Sequence, residues 1–284
     1  MCDAVTVLGS RHGLLIDPVS QECGIIKFSR FTDLPRFHIR AGLRIGGRRY
    51  MLPLCPEGGN LSFHDQRTTP CTLVLTGIHA ESCLKIRLTL ITPFRPRDPV
   101  FSTTPVLGFR LEVSRIPGQF RWDRKTIEDG TEFDIFLAFA GDGLQIEDSG
   151  PDCLDMLFQS QRIDWPLESG RKDFDYCTHP HRDRFVVTRG EKRGTCFVSS
   201  GVLADDVHAV IEGGWAAFEE AVLSVADSRC PFRYAGTYDG LDDVCDWIRA
   251  NPTALFENAA RVDSLIAANN CSSSVNHLLA YSLH

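Results

Sequence analysis

The feature that most constrains this chain is a period-two alternation of apolar residues, repeated many times and broken by turn chemistry. Leu84, Ile86, Leu88 and Leu90 alternate with Lys85, Arg87 and Thr89, the pattern of a strand with one face in a core and the other in water. Leu107, Phe109, Leu111 and Val113 repeat it, with Arg110 and Glu112 between them. Residues 37–40 and 43–45 carry weaker versions. Residues 71–76 and 133–140 are more continuously apolar and read as strands buried on both faces. Shorter candidates follow at 185–188, 195–199 and 207–212.

Gly46-Gly47, Gly58-Gly59-Asn60, Pro117-Gly118, Asp142-Gly143 and Gly150-Pro151 punctuate these runs as turn formers. Many strands with no helix regularly between them favour antiparallel sheets over a βα alternation. The expected fold is mainly β: a large antiparallel β-sandwich of ten or more strands, followed by a few α-helices.

The character changes after Gly213. Trp215, Phe218, Val222 and Val225 fall on one stripe of a helix. A turn-rich stretch around Cys230-Pro231 and Gly236 follows. A short helix is expected over 239–250, with Leu241, Val244, Cys245 and Ile248 inward. Asn251-Pro252 reads as an N-cap with proline at the first helical position. A longer amphipathic helix then carries Leu255, Phe256, Ala259, Val262, Leu265 and Ile266. Val275, Leu278, Leu279 and Leu283 form a last stripe with no glycine cap or proline stop, which reads as the opening of a larger helical domain. The division expected is a sandwich domain at 1–212, a linker helix and turn at 213–238, and the start of a truncated helical domain at 239–284.

Composition narrows the function classes. With 43% hydrophobic and 24% charged residues, the chain has enough apolar surface to fold. No run approaches the ~18 apolar residues of a membrane span. A net charge of -7 argues against a nucleic-acid partner, which would need a clustered positive face. The 11 cysteines include no C-x-x-C pair, so zinc ribbons and thioredoxin-type dithiols have no support. The first twenty residues show no secretory signal. The cysteines are therefore expected to be reduced small hydrophobes in a cytoplasmic protein.

Candidate chemistry is sparse. Asp173, Asp175, Cys177, His179, His181 and Asp183 would share one face if extended, a donor set that suits zinc. Pro180 and the flanking Arg182 and Arg184 favour a polar loop instead, so no metal or other cofactor is assigned. Glycoside hydrolysis needs two carboxylates about 5–10 Å apart. Asp205-Asp206, Glu219-Glu220 and Asp242-Asp243 qualify by type only, because adjacent side chains diverge. No G-x-S-x-G elbow or Walker loop is present. Trp122 and Trp165, set among charged residues, are the candidate carbohydrate-binding side chains, since an indole offers an apolar face to a sugar. Trp215 and Trp247 fall on helical apolar stripes and read as core.

One stretch resembles a known family. Thr92-Pro93-Phe94-Arg95-Pro96-Arg97-Asp98, a polar spacer, Ser102-Thr103-Thr104-Pro105-Val106, then Phe109 and Val113 resemble a strand–loop–strand signature of certain glycoside hydrolases. These pair an N-terminal β-sandwich with an (α/α)6 barrel, as in family 116 β-glucosidases and family 52 β-xylosidases. Ser272-Ser273 and the residues from Asn276 to His284 are similar to their first barrel helices. The resemblance implies a carbohydrate substrate and a glycosidase whose catalytic carboxylates lie in the helical domain, beyond His284. It therefore places no catalytic residue in this sequence, and the chain alone is expected to be inactive. The expected fold becomes a sandwich followed by the beginning of an incomplete (α/α)6 barrel, with the rest of that barrel as its partner. Pro93, Pro96, Pro99 and Pro105 restrict the loop's backbone. Such a loop can rim a neighbouring active site or serve only packing.

Overall fold

The computed structural model describes residues 5–8, 12–17, 19–27, 36–55, 61–69, 71–95, 97–116, 127–158, 181–217 and 238–269. Sixteen strands and three helices lie within them. The first antiparallel sheet contains β1 (Val5–Leu8), β2 (His12–Asp17), β3 (Glu22–Lys27), β4 (Arg36–Ile45), β5 (Arg48–Met51), β10 (Glu132–Ala140), β14 (Glu191–Arg193) and β15 (Cys196–Val202). The second contains β6 (Ser62–Thr68), β7 (Thr72–His79), β8 (Leu84–Ile91), β9 (Val106–Arg115), β11 (Leu144–Gly150), β12 (Cys153–Phe158), β13 (His181–Arg189) and β16 (His208–Ala216), in the order β11-β12-β13-β16-β9-β8-β7-β6.

The alternation read from the sequence produces the core between these sheets. Leu84, Ile86, Leu88 and Leu90 of β8 and Leu107, Phe109, Leu111 and Val113 of β9 are buried in one cluster with Ile39, Leu43, Ile135 and Leu137 from the first sheet. Aromatic rings knit its centre. Phe185 stacks on Trp215 at 5.2 Å and meets Phe139 at 4.2 Å, while Phe37 stands edge-on to Trp215.

A second apolar layer covers the outer face of the second sheet. Helix α2 (Leu241–Ala250) and helix α3 (Ala254–Asn269) bury Val244, Cys245, Ile248, Leu255, Phe256, Ala259 and Val262 against Ile91, Val106, Cys153, Val186 and Ala216. The helices approach closely because the strands carry glycine there. A Cβ on Gly108 would lie 3.0 Å from Leu255 Cδ1. The face of β9 expected to be wet is thus partly roofed. Arg110 pairs with the buried Glu212 and lies 4.0 Å over the Phe256 ring.

Several expectations need correction. Residues 133–140 alternate between buried and half-buried positions, because Phe136 and Ala138 lie on the open face of the first sheet. Trp215 does not begin a helix: β16 runs unbroken through Gly213 and Gly214 to Ala216. The remainder of that expected linker helix lies outside the described residues. Asn251 closes α2 instead of opening α3, donating its Nδ2 to the Trp247 carbonyl at 2.9 Å. Thr253 precedes α3 and bonds the Glu257 carboxylate at 2.8 Å. Leu265 is 50% exposed, whereas Leu255, Phe256, Ala259 and Val262 of its stripe are buried. Residues 275–284 lie outside the described residues. No described helix is long and apolar enough to cross a membrane.

Candidate functional site

The proline-rich connection between β8 and β9 forms one wall of a cleft of about 270 Å³. The opposite wall comes from the corner between α2 and α3. Arg95, Asp98, Val100, Phe101 and Thr104 face Tyr238, Trp247, Asn251 and Ala254 across it. The loop is ordered by its own side chains. Asp98 caps the short helix α1 (Pro99–Ser102), accepting from the Phe101 amide at 2.9 Å, with Pro99 in the first turn, where its missing N–H costs nothing. Ser102 Oγ accepts from the Arg95 amide at 2.9 Å and donates to the Arg95 carbonyl at 3.0 Å. Helix α3 fastens the same loop through the buried Asn258, which donates to the Phe94 carbonyl and accepts from Arg95 Nε.

These contacts fix the polar groups of the cleft. Arg95 Nη1 donates to Asp98 Oδ2 at 3.1 Å, and the two side chains remain 44% and 34% exposed. The Arg95 guanidinium lies 4.0 Å over Phe101, and Trp247 stands edge-on to that ring at 6.1 Å. The result is a guanidinium and a carboxylate side by side, next to aromatic rings. Such a site can bind a ligand that exchanges hydrogen bonds in both directions and presents an apolar surface.

Trp247, read as core from the sequence, is half-buried at this cleft, while Trp215 is core at 3% exposure. Trp122 and Trp165 lie outside the described residues, as do Asp173, Asp175, Cys177 and His179. His181 opens β13, and Asp183, paired in register with Met156, is buried at 0% exposure. Among the described residues, no group of three or more His, Cys, Asp or Glu side chains is placed to hold a metal ion.

The adjacent carboxylates do not converge either. Asp205 and Asp206 are exposed in a turn, with Asp205 3.4 Å from Arg115. Asp242 bonds Arg184, and Asp243 accepts from the Asp239 amide at 2.8 Å. Glu219-Glu220 lies outside the described residues.

A second polar cluster joins α2 to the sheet. Arg249 Nε donates to Asp152 Oδ2 at 2.8 Å and holds that carboxyl below the usual carboxylate range. Arg249 also contacts Cys153 Sγ at 2.8 Å. Burial nevertheless pushes the Cys153 thiol up to about 12 and Cys245 up to about 11. Cys153 and Cys245, 1% and 0% exposed, pack in the apolar layer between α2 and the second sheet. Six of the seven cysteines among the described residues are buried.

Comparison of the chain with protein-family models and with curated proteins finds no match in either. The functional reading therefore rests on the chemistry of the cleft and on the signature that residues 92–113 resemble.

Proposed function

We propose that this chain is the N-terminal portion of a glycoside hydrolase of the β-glucosidase or β-xylosidase kind, acting in carbohydrate metabolism. Its sandwich supports a helical catalytic domain. One carboxylic acid there protonates the glycosidic oxygen and a second serves as nucleophile or base. The observation that carries this reading is the seat of the proline loop. The segment that resembles the glycosidase signature is rigidly held, anchored by Asn258 to the helices that follow the sandwich, and it lines a cleft with an aromatic wall. The mostly buried cysteines are compatible with a cytoplasmic setting. In this reading α2 and α3 are the first elements leading into an (α/α)6 barrel, and the acids lie beyond His284.

The test is hydrolysis of aryl β-glucosides and β-xylosides by the product of the full reading frame, beside the chain of 284 residues. Turnover by the longer protein alone supports the proposal. Turnover by the shorter chain would move the catalytic acids into it.

The close docking of α2 and α3 on the second sheet favours a second reading, a self-contained carbohydrate-binding or assembly module without catalysis. Sugar binding with no turnover in any longer product would select it.

A further inference from the structure

We infer that the cleft between the proline loop and the α2–α3 corner is a binding site for one neutral pyranose ring, with Trp247 as its platform. Arg95, Asp98 and Asn251 are its hydrogen-bonding partners. The inference rests on the carbohydrate reading above and adds to it a place and a ligand size.

Volume sets the size. At about 270 Å³ the cleft lies at the lower edge of the roughly 300–1,000 Å³ of small-molecule sites, which is room for one sugar ring. Charge sets the class. Among the described residues the lining holds one cation and one carboxylate, paired at 3.1 Å, so their charges offset and favour a neutral ligand. What remains is donors and acceptors at adjacent positions. The guanidinium donates and the carboxylate accepts, which is what neighbouring hydroxyl groups require. Trp247, with Tyr238 beside it, both half-buried, supplies the complementary apolar surface for the C–H face of a ring; the Phe101 ring is already covered by Arg95.

The site is also built before a ligand arrives. Asp98 is held by the Phe101 amide and by Arg95, and Arg95 is held by Asp98, Asn258 and the face of Phe101. Binding then orders few new side chains, which keeps the entropic cost low. The platform differs from the pair that the sequence singles out, Trp122 and Trp165.

Calorimetric titration of the 284-residue chain with methyl β-D-glucopyranoside, methyl β-D-xylopyranoside and the open-chain polyol sorbitol tests this. The expected result is binding of one or both pyranosides in preference to sorbitol. Trp247→Ala should abolish it. Asp98→Asn retains an oxygen to cap α1, and should weaken binding about tenfold or more, as loss of a charged hydrogen bond does. Its melting temperature, read in parallel, separates this loss from unfolding. Pyranoside binding that survives both substitutions, or that is lost in Trp122→Ala or Trp165→Ala instead, overturns the cleft while leaving the carbohydrate reading intact. Absence of pyranoside binding, with glycosidase turnover in the longer protein, does the same. Absence of both removes the two together.

Discussion

A Cβ placed on Gly214 lies 2.8 Å from Ile248 Cδ1, so α2 rests directly on the backbone of β16. The nearest Ile248 atoms at this point are Cδ1, Cγ1 and Cγ2, a branched side chain already enclosed at 3% exposure. Gly214→Ala should therefore lift α2 or force Ile248 off its rotamer, at a cost of about 1–3 kcal/mol. Denaturant unfolding measures the loss, and hydrogen exchange should show it concentrated in the α2 amides. A neutral substitution would mean that α2 does not sit where described.

Asp155 and Arg184 form the strongest ionic contact under the same helix. Arg184 Nε donates to Asp155 Oδ1 at 2.6 Å and Nη2 reaches Oδ2 at 3.3 Å, with Asp155 only 3% exposed. Arg184 also bonds Asp242 in the first turn of α2. Asp155→Ala leaves Arg184 with the exposed Asp242 as its remaining partner, so it should destabilise by about 1–3 kcal/mol, the loss of a buried charged hydrogen bond. Asp155→Leu combined with Arg184→Leu should recover most of that, because the desolvation penalty disappears with the pair. Equilibrium unfolding of Asp155→Leu, Arg184→Leu and the double variant closes the cycle.

The strands of this fold are legible where one face meets the core and the other carries charge. Residues 84–91 and 107–113 meet that condition, and their buried positions follow the written pattern. Residues 133–140 hide it, because after Asp134 the open face of β10 carries Phe136, Ala138 and Ala140, none of them polar. Gly213-Gly214 resembles a boundary, but the lack of side chains is a packing demand: a Cβ at 214 would meet Ile248 of α2, and one at 213 would meet the Val186 carbonyl and the Phe109 ring. The cleft was half legible. The proline loop stands out in the sequence. Trp247 does not, because helical periodicity cannot say that the indole lies where the end of α2 meets a loop distant in the chain.

His79 supplies a pH dependence. Its ring is 5% exposed, lies 4.0 Å from the Tyr50 ring and bonds Ser82 Oγ through Nδ1 at 2.6 Å. Its Nε2 is buried with no hydrogen-bond partner. Burial lowers its pKa below the ordinary 6.5, against a smaller opposing pull from Glu81. The folded state thus binds fewer protons than the unfolded state just below that value. Stability from this group is complete above 6.5 and falls as the pH drops from there toward the folded pKa. Urea unfolding at about pH 7.5 and 5.5 should show this decline, and His79→Gln should flatten it across that interval. An unchanged slope in the variant would assign the decline to other groups.

Arg97 sits between Arg95 and Asp98 with φ at 65°, in the left-handed region where a Cβ crowds the following carbonyl. That conformation costs an L-residue roughly 1–2 kcal/mol, and glycine adopts it freely. Its side chain is exposed and does not line the cleft, so substitution changes the backbone term and leaves the Arg95–Asp98 pair in place. Arg97→Gly should stabilise the protein by up to about 1 kcal/mol, since part of the relief is returned as extra freedom in the unfolded chain. Arg97→Val, branched at Cβ, should destabilise it by at least as much. Thermal unfolding of the two variants gives opposite shifts if the loop holds this turn in solution. Equal shifts would mean that residue 97 leaves the left-handed region there.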